Sequence, residues 1–271
     1  MPKSRYLLVG CMVVVCLAVL SRAAAQEPNL TEQEMKQFLL QAKVVNSKQL
    51  SKGVTQPWRL TLSNGELTHD AVFQPVNEHE AETTFEDGRT ERNFVDSYHY
   101  DIAAYELAKL LGMSDMVPVT VERRWSGQTG ALSWWIAWKW DEAMHLKQHL
   151  SPPDPDAWNK QMYKVRVFDQ LIYDTDPNRT NILITEDWKI WRIDFTRAFR
   201  RFHDLQSPKD LVQCDRQLLE KMRQLSYDEV LDKTKPHLIK PEVEGVMARR
   251  DKIVAFFDKQ IAQKGESAVL Y

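Results

Sequence analysis

The stretch that most limits what this chain can fold into runs from Asp174 to Phe195. Asp174-Thr-Asp-Pro-Asn-Arg-Thr-Asn181 is a polar loop, and Ile182 to Thr185 and Trp188 to Phe195 alternate like two short strands turning at Glu186-Asp187. Asn181 stands just before the first strand and Asp194 near the end of the second, so closing the hairpin carries both to one pocket. Asp176 lies in the loop, five residues before Asn181. An Asp carboxylate and an Asn carbonyl are hard oxygen ligands, enough protein ligation for magnesium, which keeps several of its waters. At ordinary Asp usage, both intervals would arise by chance around one of the eight asparagines in roughly 3% of such chains.

Local patterns place the other elements. Thr31-Glu-Gln-Glu34 is a capping box before Met35, Phe38, Leu39 and Ala42. Trp58 to Ser63 and Thr68 to Phe73 read as strands joined by Asn64-Gly65, a pair that tolerates the positive φ of a tight turn. Glu78 to Asn93 is polar and acidic and reads as a loop. A helix is predicted from Asp96 to Leu111, ended by Gly112. A second hairpin, Val117 to Trp125 and Ala131 to Trp140, turns at 126–130. Asp154-Pro155 opens a helix with its apolar stripe on Trp158, Met162, Val165, Phe168 and Ile172, and Pro208 to Lys264 is mostly helical. The reading is an α+β fold of two lobes, a small β-rich N-lobe and a mostly helical C-lobe. The expected divisions are a signal peptide (1–25), a linker and N-terminal helix (26–51), the N-lobe (52–141) and the C-lobe (142–271).

The signal peptide rests on Lys3 and Arg5, an apolar run from Tyr6 to Leu20, and Ala23-Ala24-Ala25 as the cleavage pattern. The run is shorter than the roughly 20 residues that span a bilayer, so no membrane span is expected after cleavage. Leu8-Val9-Gly10-Cys11 offers a lipoprotein alternative, but the apolar stretch continues past Cys11. The expectation is export to a periplasm or the exterior. Cleavage leaves Cys214 as the one cysteine, so no internal disulfide forms. With a net charge of −2 and both signs interspersed, nucleic acid is excluded as a partner. His145 and His149 are spaced for a metal on a helix, but no third ligand is evident, and Trp134, Trp135, Trp138 and Trp140 read as core and cleft wall.

Phosphoryl transfer needs cations on the phosphates, ligands for those cations, and a carboxylate near the attacking hydroxyl. The spacing of Asp176, Asn181 and Asp194 is similar to that of protein kinases and phosphatidylinositol kinases. The loop lacks the His-Arg-Asp of ordinary protein kinases and resembles the atypical group: phosphatidylinositol kinases, HipA toxin kinases, and the Golgi casein kinase and Four-jointed secretory kinases, in an exported bacterial branch. Ala71-Val-Phe-Gln-Pro75 resembles a strand that usually reads Phe-Lys-Pro, and Asp101 to Leu111 a helix that usually opens with Glu. The resemblance covers roughly Gly53 to Arg201. It implies Asp176 as catalytic base, Asn181 and Asp194 as metal ligands, and Gln74, Asp101, Gly53 and Arg197 at the nucleotide. The cofactor implied is magnesium or manganese with ATP or another nucleotide, and the acceptor a protein or glycan hydroxyl. Two departures stand out: Gln74 replaces the phosphate-binding lysine and Asp101 its glutamate partner. Lys52, Arg59 or Lys139 are alternative cations, and Glu106 an alternative acid on the same helix. An exported pseudokinase, a binding or regulatory module without catalysis, is the other reading.

Overall fold

The computed structural model describes residues 30–51, 55–85, 88 and 90–271. The expected signal peptide and Gly53 lie outside the described residues, as does Lys52. Residues 31–271 form one compact unit.

Helix α1 (Glu32–Gln41) begins at the capping box: Thr31 Oγ1 accepts from Glu34 N, and the Glu34 carboxylate accepts from Thr31 N at 2.7 Å. Strands β1 (Lys43–Gln49), β2 (Trp58–Ser63) and β3 (Thr68–Gln74) follow. The β2–β3 hairpin turns at Asn64-Gly65 as expected, with Gly65 at φ +95° and the Asn64 side chain accepting from Leu67 N. Leu60 and Leu62 on β2 and Ala71 and Phe73 on β3 are fully buried, alternating with partly exposed residues.

Two readings need correction here. The 26–51 segment holds a strand as well as a helix, because β1 pairs antiparallel with β2. The acidic stretch after Glu78 is not a loop: β4 (Asn77–Thr84) and β5 (Thr90–Ser97) form a two-stranded ribbon. Both β1 and β4 are exposed along nearly their whole length. With no buried face there is no apolar alternation to mark them as strands.

Helix α2 (His99–Leu110) follows, buried over most of its surface and closed by Gly112 at φ +71°. Strands β6 (Thr120–Trp125) and β7 (Gln128–Trp134) meet at a two-residue turn, Ser126-Gly127, with both φ positive, tighter than the turn expected. The five-stranded sheet has the order β1-β2-β3-β7-β6, and α1 and α2 both pack against β6 and β7. Gly130 lets β7 approach β3, since a Cβ there would lie 2.5 Å from the Gln74 carbonyl oxygen.

The chain then leaves this sheet. Strand β8 (Trp140–Asp141), expected to end the first sheet, pairs instead with β9 (Ile182–Ile184), which pairs with β10 (Ile190–Arg192). Between them lie α3 (Glu142–Lys147) and α4 (Pro155–Ile172). Asp154 caps α4 through Asp156 N and Ala157 N, and Tyr173 ends it at φ +50°. Helices α5 (Arg216–Gln224), α6 (Tyr227–Thr234), α7 (Lys240–Lys264) and α8 (Glu266–Val269) complete a helical lobe centred on α7. Buried Arg249 of α7 donates to the carbonyls of Leu171, Arg200 and Phe202, which clamps α7 onto the end of α4. Among the described residues no helix is long and apolar enough to cross a membrane.

Candidate active site

The thirteen-residue interval between Asn181 and Asp194 is the arc of the β9–β10 hairpin. Arg192 faces Ile182 in the register, and one step further Ile193 N donates to the Asn181 carbonyl at 3.0 Å. Asn181 and Ile193 therefore lie side by side, with Asp194 next in the chain. Asn181 ends a 3-10 turn (Arg179–Asn181) capped by the Asn178 side chain, which accepts from Thr180 N. Asn181 is buried, and its amide Nδ2 has no hydrogen-bond partner. An amide's oxygen and nitrogen exchange places by a half-turn of the side chain, so this group has an uncommitted polar end.

Asp194 has φ +60°, a left-handed backbone that Asp tolerates better than most residues and that is enriched at functional sites. Four contacts hold it there. Arg192 donates to the carbonyls of Ile193 and Asp194, Thr196 Oγ1 donates to Asp194 Oδ1 at 3.1 Å, and Phe195 N donates to Asp101 Oδ1 at 2.7 Å. Asp194 keeps an exposed face. The protein packed around its other sides desolvates it and, with the nearby charges of Asp96 and Asp174, raises its pKa to about 6 against the pull of Arg192.

Asp176 is placed by the same buried cation. The Arg192 guanidinium is shared between Asp169, at 3.2 Å, and Asp174, and Asp174 also accepts from Asp176 N at 2.9 Å. Thr175 donates through both its N–H and its hydroxyl to the Arg197 carbonyl. These bonds join the Asp176 loop to the segment that follows Asp194. Burial raises the pKa of Asp174, and of Asp169 to about 6, with Arg192 opposing in both cases.

The remaining expected residues are arranged less simply. Asp101 sits in the first turn of α2 and grips the backbone of Phe195. Burial first, then the charge of Asp194, drives its pKa well above the usual carboxylate range. Gln74, at the end of β3, is buried; its Nε2 donates to Thr55 Oγ1 at 2.8 Å and its Oε1 accepts from Val76 N. The Arg197 guanidinium is paired with Glu91 of β5 and lies over the rings of Phe85 and Phe94. Of the alternative cations, Arg59 pairs with Asp70 and Lys139 with Glu186, while Glu106 pairs with Lys36 of α1.

Sequence reasoning missed Arg192, Asp169, Asp174, Asp96 and Glu91. Arg192 and Asp174 stand two residues before Asp194 and Asp176, an echo in the sequence that has meaning only once the hairpin closes. Asp96, with an unpartnered buried oxygen and a pKa raised by burial, adds a third acid beside Asp101 and Asp194. Arg192, Arg197 and Arg200 oppose the charge of these acids, and the unpartnered amide of Asn181 stands at the same end of the hairpin as Asp194. That is a donor set suited to a hard divalent cation.

No protein-family model matches the sequence, and no characterised protein matches it by sequence comparison. Solved structures do match its shape. Fam20 of hydra, solved with sugar, superposes at a TM-score of 0.61 with 14% identity over 87% of this chain and 90% of that one. The Golgi casein kinase gives 0.59 with 13% identity over 88% and 77%. The Helicobacter pylori proinflammatory kinase CtkA gives 0.54 with 10% identity over 83% and 98%. The fold is that of an atypical kinase. A structure of the Golgi casein kinase with Mn/ADP bound is also similar, at a TM-score of 0.59. Asp101, which stands where the resemblance places a lysine's glutamate partner, holds the backbone beside Asp194.

Proposed function

We propose that this protein binds a nucleotide with magnesium or manganese and transfers a phosphoryl group to a protein or glycan hydroxyl, as an exported enzyme cleaved near Ala25. The observation that carries the reading is the junction of Asn181, with its unpartnered amide, and Asp194, in its left-handed backbone, beside a loop that delivers Asp176. Asp194 and Asn181 would hold the metal, which when bound supplies positive charge to the nucleotide phosphates. Asp176 accepts the acceptor hydroxyl's proton or orients that hydroxyl. Arg192 keeps both carboxylate-bearing segments in place from below, and Asp101 fixes the peptide after Asp194.

Calorimetric titration of ADP with and without manganese tests this. Asp194→Ala is expected to abolish binding, and Asp176→Ala to keep binding while losing turnover. Metal-independent binding that persists in Asp194→Ala would overturn the assignment. Export is tested separately, by N-terminal sequencing of the protein from its host: a start at Gln26 supports it, and a lipid-modified Cys11 points to an anchored form.

One observation favours a second reading, a pseudokinase that uses the cleft only for binding. Gln74 brings no charge to the phosphates, and its amide is already engaged by Thr55. Nucleotide binding without turnover in the unaltered protein, under conditions in which the metal is bound, would select it.

A further inference from the structure

Away from the Asp194 region, three residues far apart in sequence converge: His99, the first residue of α2; Glu122, on β6; and His237, in the connection between α6 and α7. One donor atom from each lies within 4.8 Å of the others. The Nδ1 atoms of His99 and His237 face each other at 2.9 Å, with the two rings centred 5.2 Å apart. Both imidazoles are half-buried, and the Glu122 carboxylate is exposed. Tyr98 donates its hydroxyl to Glu122 Oε2 at 3.1 Å, which leaves the other carboxylate oxygen uncommitted by that bond and orients the group.

We infer that His99, Glu122 and His237 form a binding site for a zinc-class divalent metal, separate from the catalytic cation, that fastens the start of α2 to the helical lobe. Two imidazole nitrogens and one carboxylate are a frequent three-residue zinc set, with a solvent molecule completing a tetrahedron. Nitrogen selects such a metal over magnesium or calcium, which favour all-oxygen sites. In a tetrahedron with metal–ligand bonds of about 2.0–2.1 Å, donors stand about 3.3 Å apart. The two Nδ1 atoms need to part by only about 0.4 Å to reach that spacing, a small rotation of either ring. Ligation requires neutral imidazole. Burial lowers the pKa of both rings, against the pull of Glu122. The exposed edge at Glu122 leaves a side open for water.

The position gives the metal a structural consequence. His99 lies two residues before Asp101, the side chain that holds Phe195 N. The chain around His237 is fixed by its own turn, in which His237 N and Leu238 N both donate to the Thr234 carbonyl. Joining His99 to His237 anchors the first turn of α2 to the α6–α7 connection, and through Asp101 it steadies the peptide beside Asp194.

The test uses the full chain stripped with a chelator and titrated with cobalt(II), whose visible absorption reports a tetrahedral nitrogen–oxygen site, and then with zinc to displace it. One cobalt per chain with intense visible bands is expected. His99→Ala and His237→Ala are each expected to weaken binding by more than about a hundredfold, and Glu122→Gln by about tenfold to a hundredfold. Asp194→Ala is expected to leave the bands unchanged, which separates this site from the catalytic one. If either alanine variant fails to fold, His237→Gln, which keeps a polar side chain, takes its place with folding checked by circular dichroism. Absence of the bands, their survival in the folded histidine variants, or their loss in Asp194→Ala would each overturn the inference.

Discussion

Replacing Arg192 with methionine removes the charge beneath the site while keeping most of the side chain's volume. Arg192 is fully buried and is the common partner of Asp169 and Asp174, as well as a donor to the carbonyls of Ile193 and Asp194. Breaking a buried ion pair from one side costs about 3–5 kcal/mol, because the remaining charges stay desolvated without compensation. The structure also fixes how that cost varies with pH. Arg192 is what opposes the burial-driven rise of both carboxylates, so its loss raises their pKa values further. An acid whose folded pKa lies above its unfolded value destabilises the fold once deprotonated, and that penalty is relieved as pH falls through the folded pKa. Each pH unit over which one such group stays protonated only in the fold returns about 1.4 kcal/mol. Wild type gains a little on acidification as well, since Asp169 and Asp194 sit at about 6. The deficit of Arg192→Met relative to wild type is therefore expected to be about 3–5 kcal/mol near neutral pH. It should narrow by about 1–2 kcal/mol between about pH 7.5 and about pH 5.5. Urea denaturation of both proteins at the two pH values measures this. A deficit below about 1 kcal/mol, the size of an exposed pair, or one that does not change with pH, would refute the account of Arg192 as the counter-charge of two buried acids.

Other outcomes follow from the same geometry. Manganese-dependent ADP affinity is expected to be level above about pH 7 and to fall as pH drops through about 6, where protons compete for the Asp194 carboxylate; calorimetry across that range checks it, and a flat profile would be inconsistent with Asp194 as ligand. Gln74→Lys forfeits the bonds to Thr55 and Val76, so it is expected to lower stability by about 1–2 kcal/mol while tightening nucleotide binding, the two effects being read by denaturation and calorimetry. Gly130→Ala places a methyl against the backbone of Gln74 and Pro75 and is expected to cost about 1–3 kcal/mol in a urea melt, with no gain in any interaction.

How much of this was legible in the sequence depended on whether the cause was local. The Thr31–Glu34 capping box, the Asn64-Gly65 turn and the Asp154-Pro155 helix start each draw their signal from a few adjacent residues, and all three stand where they were read. Strands β1 and β4 escaped because both lie almost wholly in solvent, and a strand without a buried face carries no alternation. That Asn181 comes to lie beside Ile193, one residue before Asp194, was legible because a short hairpin converts a sequence interval into a spatial one. The acids and arginine around them were not. Asp169, Asp174 and Arg192 meet through tertiary packing, and in the sequence they look like any charged residues in an amphipathic helix or a loop. His99, Glu122 and His237 are spread over 138 residues and have no spacing to betray them.

The contacts that close the site are also main-chain bridges between the two lobes. Arg192 N donates to the Met116 carbonyl at 2.7 Å, Lys139 N to the Ile184 carbonyl at 2.8 Å, and Ser97 N to the Thr196 carbonyl at 2.8 Å, alongside the Asp101 bond to Phe195 N. Two lobes joined by a single connecting strand can swing apart at little cost, but here a wide opening would sever bonds at several separated points. At a net value of about 0.5–1.5 kcal/mol each, these bonds together oppose such a swing by several kcal/mol. The hairpin that carries Asn181 and Asp194 is thereby held to the sheet-bearing half along both of its strands and beyond its end.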